Sequence, residues 1–167
     1  MDDRARVEEQ LGRPPRGAFE VVVRDDAGDP VVVRNHPFLD DGTPMPTRYY
    51  LVAPALVRDV SRLEAAGGVD RAEREIDAGL IAATHARYAA ERDAAIPPDH
   101  VGPRPYGGVG GTRVGVKCLH AHVAHLLATG DDVVGAWTLD QLGRDQPSLD
   151  QPSLDQLGLH QSRTEPT

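Results

Sequence analysis

Two valine-rich runs decide the fold, and they stand in the sequence FEVVVRDDAGDPVVVR at residues 19–34. Valine is β-branched and favours the half-buried surface of a strand. The residues between the two runs, DDAGDP at 25–30, supply the Asp, Gly and Pro chemistry of a turn. The sequence therefore predicts a β-hairpin with strands at about residues 19–24 and 31–34.

A third strand is predicted after a proline-containing loop. Residues 36–47, HPFLDDGTPMPT, include three prolines, which exclude a helix there. Residues 48–52, RYYLV, have the aromatic and β-branched content of a strand. We therefore expect a small antiparallel sheet in the N-terminal third of the chain.

Three main helices are predicted after the sheet. The first runs from Pro54 to about Ala66, and the second from about Arg71 to Ala95 with Ile76, Leu80 and Ala83 as its apolar stripe. The third runs from about Val116 to Ala128 and ends near Gly130. Together these elements predict an α+β fold, a single domain over residues 1–142 in which the helices cover the sheet.

The C-terminal end contains a tandem pentapeptide, DQPSLDQPSL at residues 145–154. Repeated proline and polar residues bury too little apolar surface to offset the entropy of ordering. The sequence therefore predicts a disordered tail over residues 143–167.

Charge and cysteine content exclude several classes of protein. The 167 residues carry a formal net charge of -8, which disfavours binding to nucleic acid or to an anionic membrane surface. No run of eighteen apolar residues predicts a membrane span. A lone cysteine excludes an intrachain disulfide and suits a reducing compartment, so we expect a cytoplasmic protein.

A metal site is predicted from KCLHAHVAH at residues 117–125. On a helix, Cys118, His122 and His125 would point in similar directions, and their sulfur and nitrogen atoms are suitable ligands for zinc or another divalent transition metal. The fourth ligand could be His85 from the second helix, with His36 and Asp41 as alternatives. The competing interpretation is that the histidines are packing residues and that Cys118 is a small buried apolar residue.

The same segment also suggests a reactive thiol. Lys117 and the N-terminus of a helix both favour the thiolate form of Cys118. A nucleophilic role would still require a histidine aligned with the sulfur, which the sequence does not establish.

An anion site is predicted just upstream, in the glycine-rich stretch YGGVGGTRVGVK at residues 106–117. Backbone amides at Gly110 and Gly111 would act with Arg113 and Lys117 near a helix N-terminus, and Arg48 could hold a further part of the anion. The stretch lacks the Gly-Lys-Ser/Thr ending of a Walker A loop and has no dinucleotide fingerprint. The expected ligand is therefore a phosphate-bearing small molecule, and no recognised nucleotide-binding motif accompanies the predicted site.

Five short segments carry a family resemblance: LGRPPRG at 11–17, DGTPMPT at 41–47, SRLE at 61–64, and GVGG at 108–111 leading into GVKCLHAH at 115–122. Over about residues 9–138 the chain resembles the bacterial, largely actinobacterial, domain of unknown function 501 family. The resemblance implies one domain in a cytoplasmic bacterial setting and leaves the activity open. Family genes tend to neighbour those of a septum-initiator-like protein and an exopolyphosphatase, which points towards division or phosphate metabolism.

Two functions follow as hypotheses. The first is a metal-binding protein that acts as a metal-dependent hydrolase of a phosphate-bearing small molecule, with the metal activating water. The alternative is a non-enzymatic interaction or regulatory module whose protein partner is linked to cell division or polyphosphate metabolism. The sequence does not predict an oligomeric state.

Overall fold

The computed structural model describes residues 2–144, and it confirms the α+β fold with an antiparallel sheet. The predicted tail beyond Arg144 lies outside the described residues. In chain order the elements are α1 (Asp3–Leu11), β1 (Phe19–Arg24), β2 (Pro30–Asn35), β3 (Tyr49–Leu51), α2 (Pro54–Ala65), α3 (Gly68–Glu75), α4 (Ala78–Ala94), α5 (Leu119–Thr129) and α6 (Val133–Gln141). A short 3-10 turn, Val109–Gly111, lies between α4 and α5.

The sheet has the predicted hairpin at one end. β1 pairs antiparallel with β2, and β2 pairs antiparallel with β3, so that β3 is an edge strand. In the connecting turn, the carboxylate of Asp25 accepts hydrogen bonds from the amides of Ala27 and Asp29 at 3.0 and 2.9 Å. The side chain thus holds the turn that the DDAGD sequence predicts.

The two faces of the sheet are covered by different helices. Val32, Tyr49 and Leu51 belong to the main core, which also contains the buried residues of α5. Val33 packs on the opposite side in a smaller core with Val7 of α1. The sequence analysis missed α1 because Val7 is the one fully buried residue of that helix and gives no apolar stripe.

The predicted second helix is two helices. Ile76 is extended, with φ -104° and ψ 136°, and it ends α3. Asp77 then caps α4, since its side chain accepts a hydrogen bond from the amide of Leu80. An acidic N-cap therefore interrupts what the Ala-rich pattern suggested was continuous.

The face of α4 that the sequence predicted to be buried was also wrong. Leu80 is 52% exposed, whereas the buried residues of α4 are Ile81, Thr84, His85, Tyr88 and Arg92. The apolar stripe that includes Ile76 crosses the break between two helices, so it never forms one face. The side of α4 that carries His85 faces the protein interior instead.

α5 and α6 form a tightly packed pair. Cys118 caps α5 from outside the helix, with φ -155°, and Gly130 ends α5 in the left-handed region with φ 75°. At the contact, a Cβ atom added to Gly135 of α6 would lie 2.5 Å from the carbonyl oxygen of His122. The two helices therefore approach as closely as a glycine permits.

None of the helices described between residues 2 and 144 has the length and apolar character needed to cross a membrane.

Replacing Gly135 with alanine should destabilise the fold, because the added methyl group collides with the backbone of α5. We expect a loss of about 1–3 kcal/mol in the free energy of unfolding, the usual cost of overpacking. Urea denaturation of wild type and Gly135→Ala measures this loss. Gly79→Ala is a matched control at an exposed position in the first turn of α4, where the added Cβ meets only the Asp77 side chain. An equal loss of stability in Gly79→Ala would argue against the close approach of α5 and α6.

Candidate functional site

A buried carboxylate joins two of the predicted metal ligands. The Nδ1 atom of His122 lies 2.9 Å from both oxygens of Asp132, and the Nδ1 atom of His125 lies 2.8 Å from Oδ2. Oδ1 also accepts hydrogen bonds from the amides of Val134 and Gly135 at 3.0 and 2.8 Å. One side chain therefore caps α6 and binds two imidazoles of α5.

The carboxylate of Asp132 stays ionised although it is buried. Burial is the largest single influence and raises its pKa, but hydrogen bonds from His122 and His125 together outweigh it, so the pKa is lowered from its usual value. The carboxylate accepts a hydrogen bond from the Nδ1–H of each ring, which leaves Nε2 as the nitrogen of each ring that does not contact Asp132. Nε2 of His122 is buried and has no hydrogen-bond partner among residues 2–144.

His85 lies beside this network without joining it. Its ring centroid is 5.7 Å from that of His122. Nδ1 of His85 accepts a hydrogen bond from the amide of Val109 at 3.0 Å, and Nε2 donates to the carbonyl of Gly115 at 2.7 Å. Burial lowers the pKa of His85, so the neutral ring that these two contacts require is favoured.

The predicted metal ligands do not converge. Cys118 lies outside α5, and its position there differs from the helical projection on which the prediction rested. Both nitrogens of His85 are used, and the Nδ1 atoms of His122 and His125 face Asp132. No three His, Cys, Asp or Glu side chains within residues 2–144 are grouped so that they could hold a metal ion.

The alternative fourth ligands also lie elsewhere. Asp41 holds its own loop, where its carboxylate accepts a hydrogen bond from the amide of Thr43. His36 lines a small cavity with Arg13 and Arg16. Cys118, His122 and His125 do not line that cavity. Zinc or another divalent metal therefore stays a prediction from the sequence.

Cys118 lines a separate and larger cavity, which we call the cleft. Its volume is about 580 Å³, within the range of roughly 300–1,000 Å³ typical of ligand sites. The cleft lies between α1, the edge strand β3, α2 and the start of α5. Its lining residues are Gln10, Leu11, Thr47, Tyr49, Tyr50, Leu51, Val52, Pro54, Val57, Arg58, Gly110, Lys117, Cys118, His120 and Ala121.

The anion site at the helix N-terminus differs from the prediction, because carboxylates of the chain itself bind the amides. Oε1 of Glu64 accepts from the amide of Leu119 at 2.5 Å, and Oε1 of Glu73 accepts from the amide of Val116 at 2.7 Å. These side chains take the place that a bound phosphate would have at the start of α5. The backbone there has little remaining capacity for an external anion.

The side chains predicted to bind the anion are dispersed. Lys117 lines the cleft and donates from Nζ to the carbonyl of Gly110 at 3.2 Å. Arg48 donates to the carbonyl of Asn35, and Arg113 lies over the ring of exposed Tyr106 at 5.2 Å. Neither arginine lines the cleft, nor does Gly111. The structure therefore brings together only Lys117 and Gly110 of the predicted set.

The glycine-rich stretch has a packing role as well. A Cβ atom added to Gly108 would lie 2.4 Å from Cβ of His85. This glycine lets the loop lie directly on α4, where Val109 can donate to His85. Close approach therefore accounts for part of the glycine content that suggested a phosphate cradle.

Cys118 is less acidic than the sequence indicated. Burial raises the pKa of its thiol and outweighs the opposing influences of the α5 amides and Lys117. The prediction that the thiolate is favoured was therefore wrong.

Two acidic residues of this region were missed by the sequence analysis. Asp132 follows Gly130 and precedes an apolar run, which is the pattern of a helix end followed by an N-cap, and that signal could have revealed α6. Glu64 stands in the SRLE segment on α2, and its contact with Leu119 joins positions 55 residues apart. No local pattern predicts such a contact.

The fold and the cavities define an α+β domain with a ligand-sized cleft beside a buried carboxylate–imidazole network. The chain belongs to the family described as Protein of unknown function (DUF501), whose model matches residues 21–140. Neither a curated protein nor a solved structure matches the chain.

Removing the Asp132 carboxylate should strongly destabilise the protein. Asp132→Ala leaves two imidazoles and two helix amides without their acceptor, and breaking a buried pair of this kind costs about 3–5 kcal/mol. Thermal or urea unfolding measures the loss. The control is Asp131→Ala, which breaks an exposed ion pair with Arg87 and should cost less than about 1 kcal/mol.

Stability should fall as the pH drops below about 6.5 because of His85. Burial lowers its folded-state pKa below the ordinary histidine value of about 6.5, so the unfolded chain binds a proton more readily. The stability that is present above pH 6.5 is therefore lost as the pH falls through the folded-state pKa. Unfolding free energies of wild type and His85→Gln between pH 7.5 and 5.5 test this. The variant should be less stable at pH 7.5 but lose less stability on acidification, and parallel curves would refute the assignment.

Proposed function

We propose that this protein is a non-enzymatic binding protein whose cleft holds a small molecule with an apolar part and an anionic group such as a phosphate. The observation that carries the proposal is the composition of the cleft lining. Two exposed cations, Arg58 and Lys117, stand on a lining that includes Leu11, Leu51 and Val57. Within residues 2–144, no Asp or Glu lines the cleft. A ligand with complementary parts is expected for such a surface.

The charge of the cleft contrasts with that of the whole chain. Acidic residues number 26 and the net charge is -8, so most of the surface repels anions. Within residues 2–144, the side chain of Arg58 makes no ion pair or hydrogen bond, and that of Lys117 binds only the carbonyl of Gly110. Both charges therefore remain able to bind an external anion.

Binding without chemistry is supported by the state of the titratable groups in the cleft. Nδ1 of His120 lies 3.1 Å from Glu64 Oε1, and its Nε2 lies 3.1 Å from the carbonyl oxygen of Val57. The thiol of Cys118 has a raised pKa. Neither side chain is placed as a free general base or an activated nucleophile.

A metal-dependent hydrolase receives less support from the geometry. That function needs ligands that converge on one ion with a position left for water. His122 and His125 instead direct Nδ1 to Asp132, and both are almost fully buried away from the cleft. The cleft and the imidazole network are thus separate features.

Titration with octyl phosphate, kept below its micelle concentration, tests the proposal by calorimetry. Wild type should bind octyl phosphate and should bind octanol far more weakly. Lys117→Met keeps the apolar stem but removes the charge, and a charge-assisted hydrogen bond of about 1.5 kcal/mol corresponds to roughly tenfold weaker binding.

The matched control for this titration is Arg113→Met, which removes one positive charge outside the cleft. It should leave the affinity for octyl phosphate within about twofold of wild type. Equal binding of octyl phosphate by wild type and Lys117→Met, or no binding at all, would contradict the proposal.

A further inference from the structure

A second cavity adjoins the cleft on the far side of Tyr50. Its volume is about 160 Å³, and it lies between the end of α1, residues 13–19 and the loop after β2. Its apolar lining includes Phe19, Val33 and Met45, while Arg13 and Arg16 supply exposed positive charges. In chemical character it repeats the cleft on a smaller scale.

Two residues belong to both cavities. Leu11 of α1 and Tyr50 of β3 line the cleft and also line the second cavity. Tyr50 is 39% exposed, so its ring stands at the surface between the two spaces. The two cavities are therefore neighbours, with Leu11 and Tyr50 between them.

The positive charges of the second cavity are also available. The guanidinium groups of Arg13 and Arg16 form no ion pair or hydrogen bond with residues 2–144, although Arg16 acts at longer range on Asp41. Eight other arginines, by contrast, are in ion pairs: Arg6, Arg24, Arg34, Arg62, Arg71, Arg87, Arg92 and Arg144. In the part of the chain that the structure describes, no Asp or Glu lines the second cavity.

We infer that the ligand of this protein is an elongated molecule with an anionic group at each end and an apolar middle, and that it spans both cavities. One anionic group binds at Lys117 and Arg58, and the other binds at Arg13 and Arg16. The apolar middle lies over Leu11 and Tyr50. This inference rests on the proposed function of the cleft and adds the class of ligand.

Alkane bisphosphates with four, eight and twelve methylene groups, compared with monoalkyl phosphates of the same lengths, test the inference by calorimetry. A bisphosphate has two identical ends, which alone raise its affinity about twofold over that of the monoalkyl phosphate of the same length. A bisphosphate long enough to reach both cavities should gain at least about tenfold, because the second contact becomes intramolecular. The shortest bisphosphate should show only the statistical gain.

The double variant R13Q/R16Q should remove the length-dependent gain and leave monoalkyl phosphate binding unchanged. The double variant R62Q/R74Q removes the same charge from exposed positions that line neither cavity, and it should retain the gain. All four arginines are exposed, so the variants are expected to fold.

The outcomes separate the two proposals. If monoalkyl phosphates bind but no bisphosphate gains more than twofold, the spanning ligand is wrong while the proposed function of the cleft stands. If R62Q/R74Q loses the gain as R13Q/R16Q does, general electrostatics explains it and the inference fails. If neither series binds, the proposed function itself is wrong.

Discussion

The rest of the structure depends on the carboxylate of Asp132. It lies at the start of α6 and accepts hydrogen bonds from His122 and His125 of α5 and from two amides of its own helix. Because one carboxylate binds both imidazoles of α5 and the first amides of α6, it links the two helices directly. Gly135 then permits their close contact. α5 also packs on the sheet, so this buried contact joins α6 to the part of the core that covers the sheet.

The opposite end of α5 is held by carboxylates from other helices. Glu64 of α2 binds the first amide of α5, and Glu73 of α3 binds the amide of Val116 just before it. These contacts neutralise the positive end of the helix dipole within the protein. Within residues 2–144, the nearby cations Lys117 and Arg58 have no carboxylate partner, and both line the cleft. Glu64 and Glu73 therefore stabilise α5 without lining the cleft or pairing with its two cations.

The sequence predicted those elements whose signal is local. The β-hairpin, the third strand and α2 follow from valine-rich runs, turn residues and an N-terminal proline, and each was confirmed within a few residues. α1 was missed because its one fully buried residue, Val7, gives no apolar stripe, and α6 was missed because the N-cap signal of Asp132 was not recognised. In α4 the wrong face was predicted, because Asp77 interrupts the helix and no apolar count along the chain detects that interruption.

The candidate site was predicted less well than the fold, for a physical reason. The segment at residues 117–125 contains several side chains of similar chemistry, and the helical projection treated Cys118 as part of the helix. The N-cap conformation of Cys118 instead places it in the cleft with Lys117 and His120, while His122 and His125 face Asp132 on the buried side. Long-range contacts with Glu64 and Asp132 decide which side chains remain available. One short motif thus contributes to two separate features, a closed network that stabilises the fold and an open cleft that is suited to binding.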